Sequence, residues 1–78
     1  MYRIRKSALA LALKDTAPHT FAVYKHPDGF IFTLDGTAML ETERGDIRKF
    51  RKLEAIVSLA QALDITHFTV SLRPESAS

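Results

Sequence analysis

The chain has 78 residues, with 11 lysine and arginine side chains against 9 aspartate and glutamate side chains, a formal charge of +2. It has no cysteine, which excludes a disulfide scaffold, a cysteine-ligated zinc or iron–sulfur site and a thiol nucleophile. Hydrophobic residues make up 46%. Length and composition therefore predict one small folded domain over residues 1–73 and a frayed polar tail over 74–78, and they exclude a multidomain enzyme.

The first predicted element is a helix over residues 3–15, with the sequence RIRKSALALALKD. Alanine, leucine, lysine and arginine dominate this segment, and all four are strong helix formers. The alternation of Leu9, Leu11 and Leu13 would also suit one face of a strand. Composition favours the helix, and Pro18 ends it because proline disfavours helical geometry at the preceding residue.

Three strand signals follow, at residues 20–26, 30–35 and 37–44. The first segment is rich in aromatic and β-branched residues, and the second alternates between apolar and polar positions. Residues 26–29, HPDG, are typical of a type I turn followed by a glycine with positive φ. Residues 35–36, DG, are a strong two-residue hairpin signal. The sequence therefore predicts an antiparallel meander over residues 20–44.

The first strand of this meander is apolar on both faces. Phe21 and Val23 point one way, and Ala22 and Tyr24 point the other. A second covered face is therefore expected, either under the first helix or against another subunit, so the sequence allows a homodimer.

A second helix is predicted over about residues 50–64 because apolar residues at helical spacing form one stripe, which holds Leu53, Ile56, Val57, Ala60 and Leu63. Its start has two alternatives. Either Asp46 caps a helix that includes Phe50, or residues 47–50 stay extended and the helix begins near Arg51. Asp64 is expected to end the helix with a positive φ.

Residues 66–72 alternate again and predict a last strand, with Phe68, Val70 and Leu72 on one face. The predicted order is α-β-β-β-α-β, an α+β fold with a four-stranded, mostly antiparallel sheet and the second helix packed on one face. Because that helix is a crossover, the last strand should run parallel to the third strand or to the strand beside it.

The most prominent charged feature is a pair of basic clusters. The first cluster holds Arg3, Arg5 and Lys6, and the second holds Arg44, Arg48, Lys49, Arg51 and Lys52. If the clusters meet, they form a positive patch able to hold phosphates or an acidic protein surface. The alternative is the solvated polar face of an amphipathic helix. Tyr24 is a further candidate contact, since a half-exposed tyrosine offers both a ring and a hydroxyl.

No motif for catalysis or for a metal is present in the sequence. His19, His26 and His67 lie on different predicted elements, without the spacing of a local metal site. Neither Ser58 nor Ser71 sits in a glycine elbow, and the glycines are not grouped into a phosphate loop. We therefore expect no enzymatic activity, no cofactor and no metal.

The apolar run at residues 8–13 is too short for a bilayer, which takes roughly 20 residues. Arg3, Arg5 and Lys6 precede this run as in a signal peptide, but Lys14 follows it immediately. These features predict a cytoplasmic protein that does not enter a membrane.

Residues 40–70 resemble small proteins carried by plasmids and other mobile elements, some of them partition-associated. The matching features are an Arg-Gly turn at 44–45, an Arg-x-Phe element at 48–50 and the Leu-Asp-Ile at 63–65. Two positions depart from the pattern: Lys52 replaces the usual small residue that caps the helix, and Asp64 replaces the glycine that ends it. The resemblance implies an accessory protein with no enzymatic role. Phage and plasmid proteins of this size, anti-CRISPR proteins among them, commonly act by docking on a larger complex.

The function expected from the sequence is therefore binding: docking on a partner protein or nucleoprotein complex, which is thereby inhibited or regulated. The alternative is direct, largely sequence-independent binding of nucleic acid through the basic residues.

Overall fold

The computed structural model describes residues 2–14 and 18–72. Its elements are, in chain order, β1 (Tyr2–Arg5), α1 (Lys6–Ala12), β2 (Phe21–His26), β3 (Gly29–Leu34), β4 (Ala38–Glu41), β5 (Lys49–Phe50), α2 (Leu53–Ala62) and β6 (Thr69–Ser71). The predicted α+β class is confirmed. The predicted four-stranded sheet is wrong, because the sheet has six strands and mixes parallel with antiparallel pairs. The predicted tail over 74–78 lies outside the described residues.

The strands follow the order β1-β4-β3-β2-β6, and β5 pairs with β3. The predicted antiparallel meander is confirmed as β2, β3 and β4. Two parallel strands extend it, β1 beside β4 and β6 beside β2. The last strand, β6, therefore runs in the same direction as β4, the third strand of the meander, as predicted. It pairs, however, with β2, the first strand of the meander.

Strand β1 was not predicted, because Arg3, Ile4 and Arg5 were assigned to the first helix. These residues pair with β4 in register, from Tyr2 opposite Ala38 to Arg5 opposite Glu41. Pairing along a whole neighbouring strand outweighs helix propensities, which differ by only about 0.7 kcal/mol per residue. Helix α1 consequently begins at Lys6.

The extended alternative for residues 47–50 is the correct one. Phe50 lies opposite Phe30 in the pairing of β5 with β3, and α2 begins at Leu53. Lys52 is the N-cap and makes no side-chain hydrogen bond to the helix. Asp64 has φ of 59°, which confirms its predicted left-handed conformation at the end of the helix.

Both helices pack on the same face of the sheet. Leu9 of α1 and Ile56 of α2 are fully buried, and they share one hydrophobic core with Val23, Phe32 and Leu40. The second covered face expected from the sequence is therefore not under the first helix, and the described part of the chain leaves the opposite face of the sheet free of helices.

The turn between β3 and β4 carries a charged hydrogen bond that makes stability depend on pH. His19 Nδ1 donates to Asp35 Oδ2 at 2.9 Å, and the Thr20 N–H donates to Asp35 Oδ1 at 2.7 Å. The bond from His19, followed by the bond from Thr20, lowers the pKa of Asp35 below its ordinary value. Because the pKa is lowered, the ionised Asp35 carboxylate contributes its full stabilisation above the unfolded-state pKa. This stabilisation is lost as pH falls through the folded-state pKa.

We therefore expect Asp35→Asn to lower the free energy of unfolding at pH 7 by roughly 0.5 kcal/mol, a small value because the carboxylate is partly exposed to solvent. Asparagine tolerates the φ of 54° at this position, so the turn itself is retained. Urea denaturation of both proteins between pH 7 and pH 3 measures the effect. The difference in the free energy of unfolding between wild type and variant should shrink as pH falls below 4. A difference that stays constant with pH would contradict a stabilising role of the ionised Asp35.

Candidate binding face

The open face is the surface of the sheet opposite the two helices. Side chains alternate between the two faces of a strand, so the positions next to the buried core positions point to this side. From the strand registers, the open face carries Arg3, Arg5, Ala22, Tyr24, His26, Ile31, Thr33, Met39, Glu41, Lys49, Thr69 and Ser71.

The centre of the open face is apolar. Tyr24 pairs with Ile31 across β2 and β3, and Thr33 pairs with Met39 across β3 and β4. Thr33 is fully buried although no described helix covers it, and its hydroxyl donates to the Ala22 carbonyl at 2.9 Å. Tyr24, Ile31 and Met39 are half-buried. The strands therefore present an apolar centre, and the hydroxyl of Thr33, the buried polar side chain within it, is internally satisfied.

Cations border this centre on the side of β1 and β5. Arg3 and Arg5 lie on β1, and Lys49 lies on β5. The Arg5 Nε lies 3.4 Å from Glu41 Oε1, and the Lys49 Nζ lies 3.5 Å from an oxygen of Asp28. These exposed pairs contribute little to stability, about 0–1 kcal/mol each, but they hold the cations at the rim of the apolar centre.

A short hairpin over residues 40–48 carries Arg44 at its tip. The Thr42 N–H donates to the Asp46 carbonyl at 2.7 Å, and the Arg48 N–H donates to the Leu40 carbonyl at 2.8 Å. The turn requires Gly45, which has φ of 90°. Arg44 therefore lies at the tip of this hairpin, beyond the residues of β4 that pair with β3.

The two basic clusters meet at this turn. An Arg3 guanidinium nitrogen donates to the Gly45 carbonyl at 2.7 Å, so the side chain from the first cluster reaches the residue beside Arg44. Both arginines are exposed. Part of the predicted positive patch is thus assembled at one side of the open face, with Arg5 next to Arg3 on the same strand.

The remaining basic residues lie elsewhere. Lys6 and Arg48 line a groove of about 380 Å³ on the helix side, between the 40–48 hairpin and α2. The Arg48 guanidinium lies 4.9 Å from the centroid of the Phe50 ring. Arg51 and Lys52 are exposed in the link before α2. The eight predicted residues therefore do not form one continuous patch.

The apolar centre was the part of the site that sequence reasoning missed. The two-sided pattern of β2 pointed to it, since Ala22 and Tyr24 alternate with Phe21 and Val23. Ile31 and Met39 could have been added by extending the same alternation to β3 and β4. What the pattern could not show was which of the two faces the helices cover.

The histidines take part in local hydrogen bonds. His26 Nδ1 accepts from the Asp28 N–H at 3.1 Å, and His67 Nδ1 lies 3.1 Å from the Thr66 hydroxyl. Within residues 2–14 and 18–72, no group of three histidine or carboxylate side chains is placed to hold a metal ion. Neither helix in this part of the chain is long and apolar enough to cross a membrane.

Comparisons of the chain with models of protein families, with curated proteins and with solved structures gave no match. The likeness of residues 40–70 to mobile-element proteins therefore stays a prediction.

Proposed function

We propose that this chain is a non-enzymatic cytoplasmic binding protein that docks its open face on a partner protein or nucleoprotein complex and thereby inhibits or regulates it. The observation that carries the proposal is the apolar centre of Tyr24, Ile31 and Met39 with a basic rim, left uncovered by both helices. Tyrosine, methionine and arginine are enriched in protein interfaces, and tyrosine and arginine often dominate their binding energy.

The chemistry of the rim indicates what kind of surface is bound. Arg3 and Arg44 are exposed cations on one side of the apolar centre, and neither lies within ion-pair distance of a carboxylate in the described part of the chain. Complementary charge accelerates encounter and fixes register. The partner is therefore expected to present an apolar patch bordered by aspartate or glutamate.

The mode of action follows from size and shape. A sheet held from behind by two helices can cover a functional surface without changing its own conformation. Binding of this kind inhibits by steric exclusion and needs no chemical step. The mobile-element likeness of residues 40–70 supports a role of this type, with a larger complex as the target.

Two observations favour a protein surface over nucleic acid. Surfaces that bind single strands usually offer several stacking aromatic rings. On the open face, the described registers place two rings, Tyr24 and the half-buried His26 at the end of β2, and no phenylalanine. In addition, Arg5 and Lys49 are already paired with Glu41 and Asp28. Direct nucleic-acid binding is the alternative function.

Charge reversal at the rim tests the proposed face. We expect Arg3→Glu combined with Arg44→Glu to reduce capture of the partner from a lysate of the source cells by about tenfold, a loss of about 1.4 kcal/mol. The matched control combines Arg51→Glu with Lys52→Glu, which makes the same change of charge at exposed positions away from the open face. Quantitative mass spectrometry of the captured proteins measures both variants against wild type.

The control should capture the same proteins as wild type, and both variants should stay folded, the rim variant losing only the exposed hydrogen bond of Arg3 to Gly45. Loss of capture with the control and not with the rim variant would place the site in the 51–52 segment and overturn the proposal.

A titration against labelled single- and double-stranded DNA and RNA decides between the two functions. The proposal predicts no salt-sensitive binding. A protein that contacts several phosphates loses affinity by a factor on the order of 10³ between roughly 50 and 200 mM salt. A steep loss of this kind, abolished by reversal of Arg3 and Arg44, would favour the nucleic-acid alternative.

A further inference from the structure

Strand β6 is an edge of the sheet, and in the described part of the chain it pairs with β2 only. Its surroundings are unusual for an edge, because residues 65–72, with the sequence ITHFTVSL, hold no aspartate, glutamate, lysine or arginine. Edge strands are normally protected by charged side chains, which discourage pairing with another chain. The opposite edge, β1, has this protection in Arg3 and Arg5.

The exposed side chains on the helix side of this edge are apolar. Val70 lies on the helix side of the sheet, opposite Val23 in the pairing with β2, and it is 41% exposed. Leu72, two residues further on, is 76% exposed. On the open face, this edge carries Thr69, which precedes Val70, and Ser71, which lies between Val70 and Leu72. Both residues are small and uncharged.

The segment is complementary to itself. If two copies pair antiparallel about Val70, Val70 faces its own equivalent and Thr69 faces Ser71 of the other copy. In the same register, Phe68 faces Leu72 of the other copy, and these side chains share the helix side with Val70. No like charges meet at any of these positions, and the pairs on the helix side are apolar with apolar.

From this self-complementary edge we propose that two copies of the chain associate through β6, in an antiparallel pair that joins their sheets. The two open faces then lie on the same side of one continuous sheet, so a dimer presents two copies of the basic rim. The association does not depend on what the open face binds. Because the paired segment is short, the buried area is small and the dimer is weak.

The test is sedimentation equilibrium of the wild-type chain over a concentration range on the order of 10 to 500 µM, which brackets the affinity expected of a small interface. We expect the average mass to rise from that of one chain towards that of two. Val70→Lys is expected to weaken dimerisation by at least about tenfold, since it places two lysines opposite each other. Leu72→Lys is the second variant, at a position so exposed that folding does not depend on it.

The matched control is Val57→Lys on the outer side of α2, since Val57 is 39% exposed, nearly the same as Val70. It should dimerise as wild type does. Hydrogen exchange gives an independent readout, because amides at residues 69–71 should exchange more slowly at the highest concentration. A wild-type chain that stays monomeric at 500 µM would overturn the proposal, and so would a dimer that Val57→Lys weakens as much as Val70→Lys does.

Discussion

Replacement of Gly29 by alanine is expected to lower the free energy of unfolding by about 3 kcal/mol or more, which is most of the stability of so small a domain. Gly29 begins β3 with φ of +143°, a conformation that side chains disfavour strongly. A Cβ atom there would overlap the Phe50 carbonyl oxygen of β5. Because both groups belong to backbone in paired strands, neither can move aside cheaply.

Gly36→Ala is the control for this prediction. Gly36 also has a positive φ, of 69°, but a Cβ atom there would meet nothing within 4 Å. Gly36→Ala should lower the free energy of unfolding by only about 1 kcal/mol, the cost of holding alanine at a positive φ. Urea denaturation of the two variants separates the effects, and equal losses of stability would show that the contact between Gly29 and Phe50 is not as close as described.

Leu9→Ala is expected to cost about 2–5 kcal/mol, the range found for large-to-small changes at fully buried sites. Leu9 is the buried residue of α1, with 0% exposure, and it belongs to the same core as Ile56 and Phe32. This contact fixes α1 on the helix side of the sheet. The same contact is therefore the reason that the open face has no helix over it.

Leu11→Ala is the matched control, since it makes the same change two residues along the helix at a side chain that is 66% exposed. Its effect should stay within about 0.5 kcal/mol, as is usual for surface positions. A larger loss of stability in Leu11→Ala than in Leu9→Ala would contradict this account, because it would mean that α1 packs on the sheet through the side that carries Leu11.

Much of the fold could be predicted because the signals were local. The DG pair at 35–36 requires two residues with positive φ, and the structure gives 54° and 69°. The apolar stripe of the second helix and the alternation at Phe68 and Val70 likewise depend on near neighbours in the chain. Such patterns identify elements without knowledge of what the elements pack against.

The missing strands depend on partners far along the chain. Residues 2–5 have a helix-forming composition and become a strand because they pair with β4. The two residues of β5 are too few to form a pattern, and they are extended because they pair with the first half of β3. Sequence reasoning had no means of seeing either pairing.

The candidate site was predicted in part for the same reason. Arg3, Arg5, Arg44, Lys49 and Tyr24 were all selected from the sequence, and the structure places them on or beside the open face. Arg48 and Lys49 are neighbours in the chain, but an extended backbone sends them to opposite faces of the sheet. A continuous patch would require adjacent cations to share one surface, which the extended backbone of β5 prevents.

The central claim is that the open face is the surface that binds. Its most direct test is a titration of the chain, labelled at the isoleucine and methionine methyl groups, with the complex isolated by capture, observed by NMR. The account predicts that the methyl signals of Ile31 and Met39 broaden or shift, whereas Ile65, which packs against the core on the helix side, is unchanged. Perturbation of Ile65 with Ile31 and Met39 unaffected would contradict the account and place the binding surface on the helices.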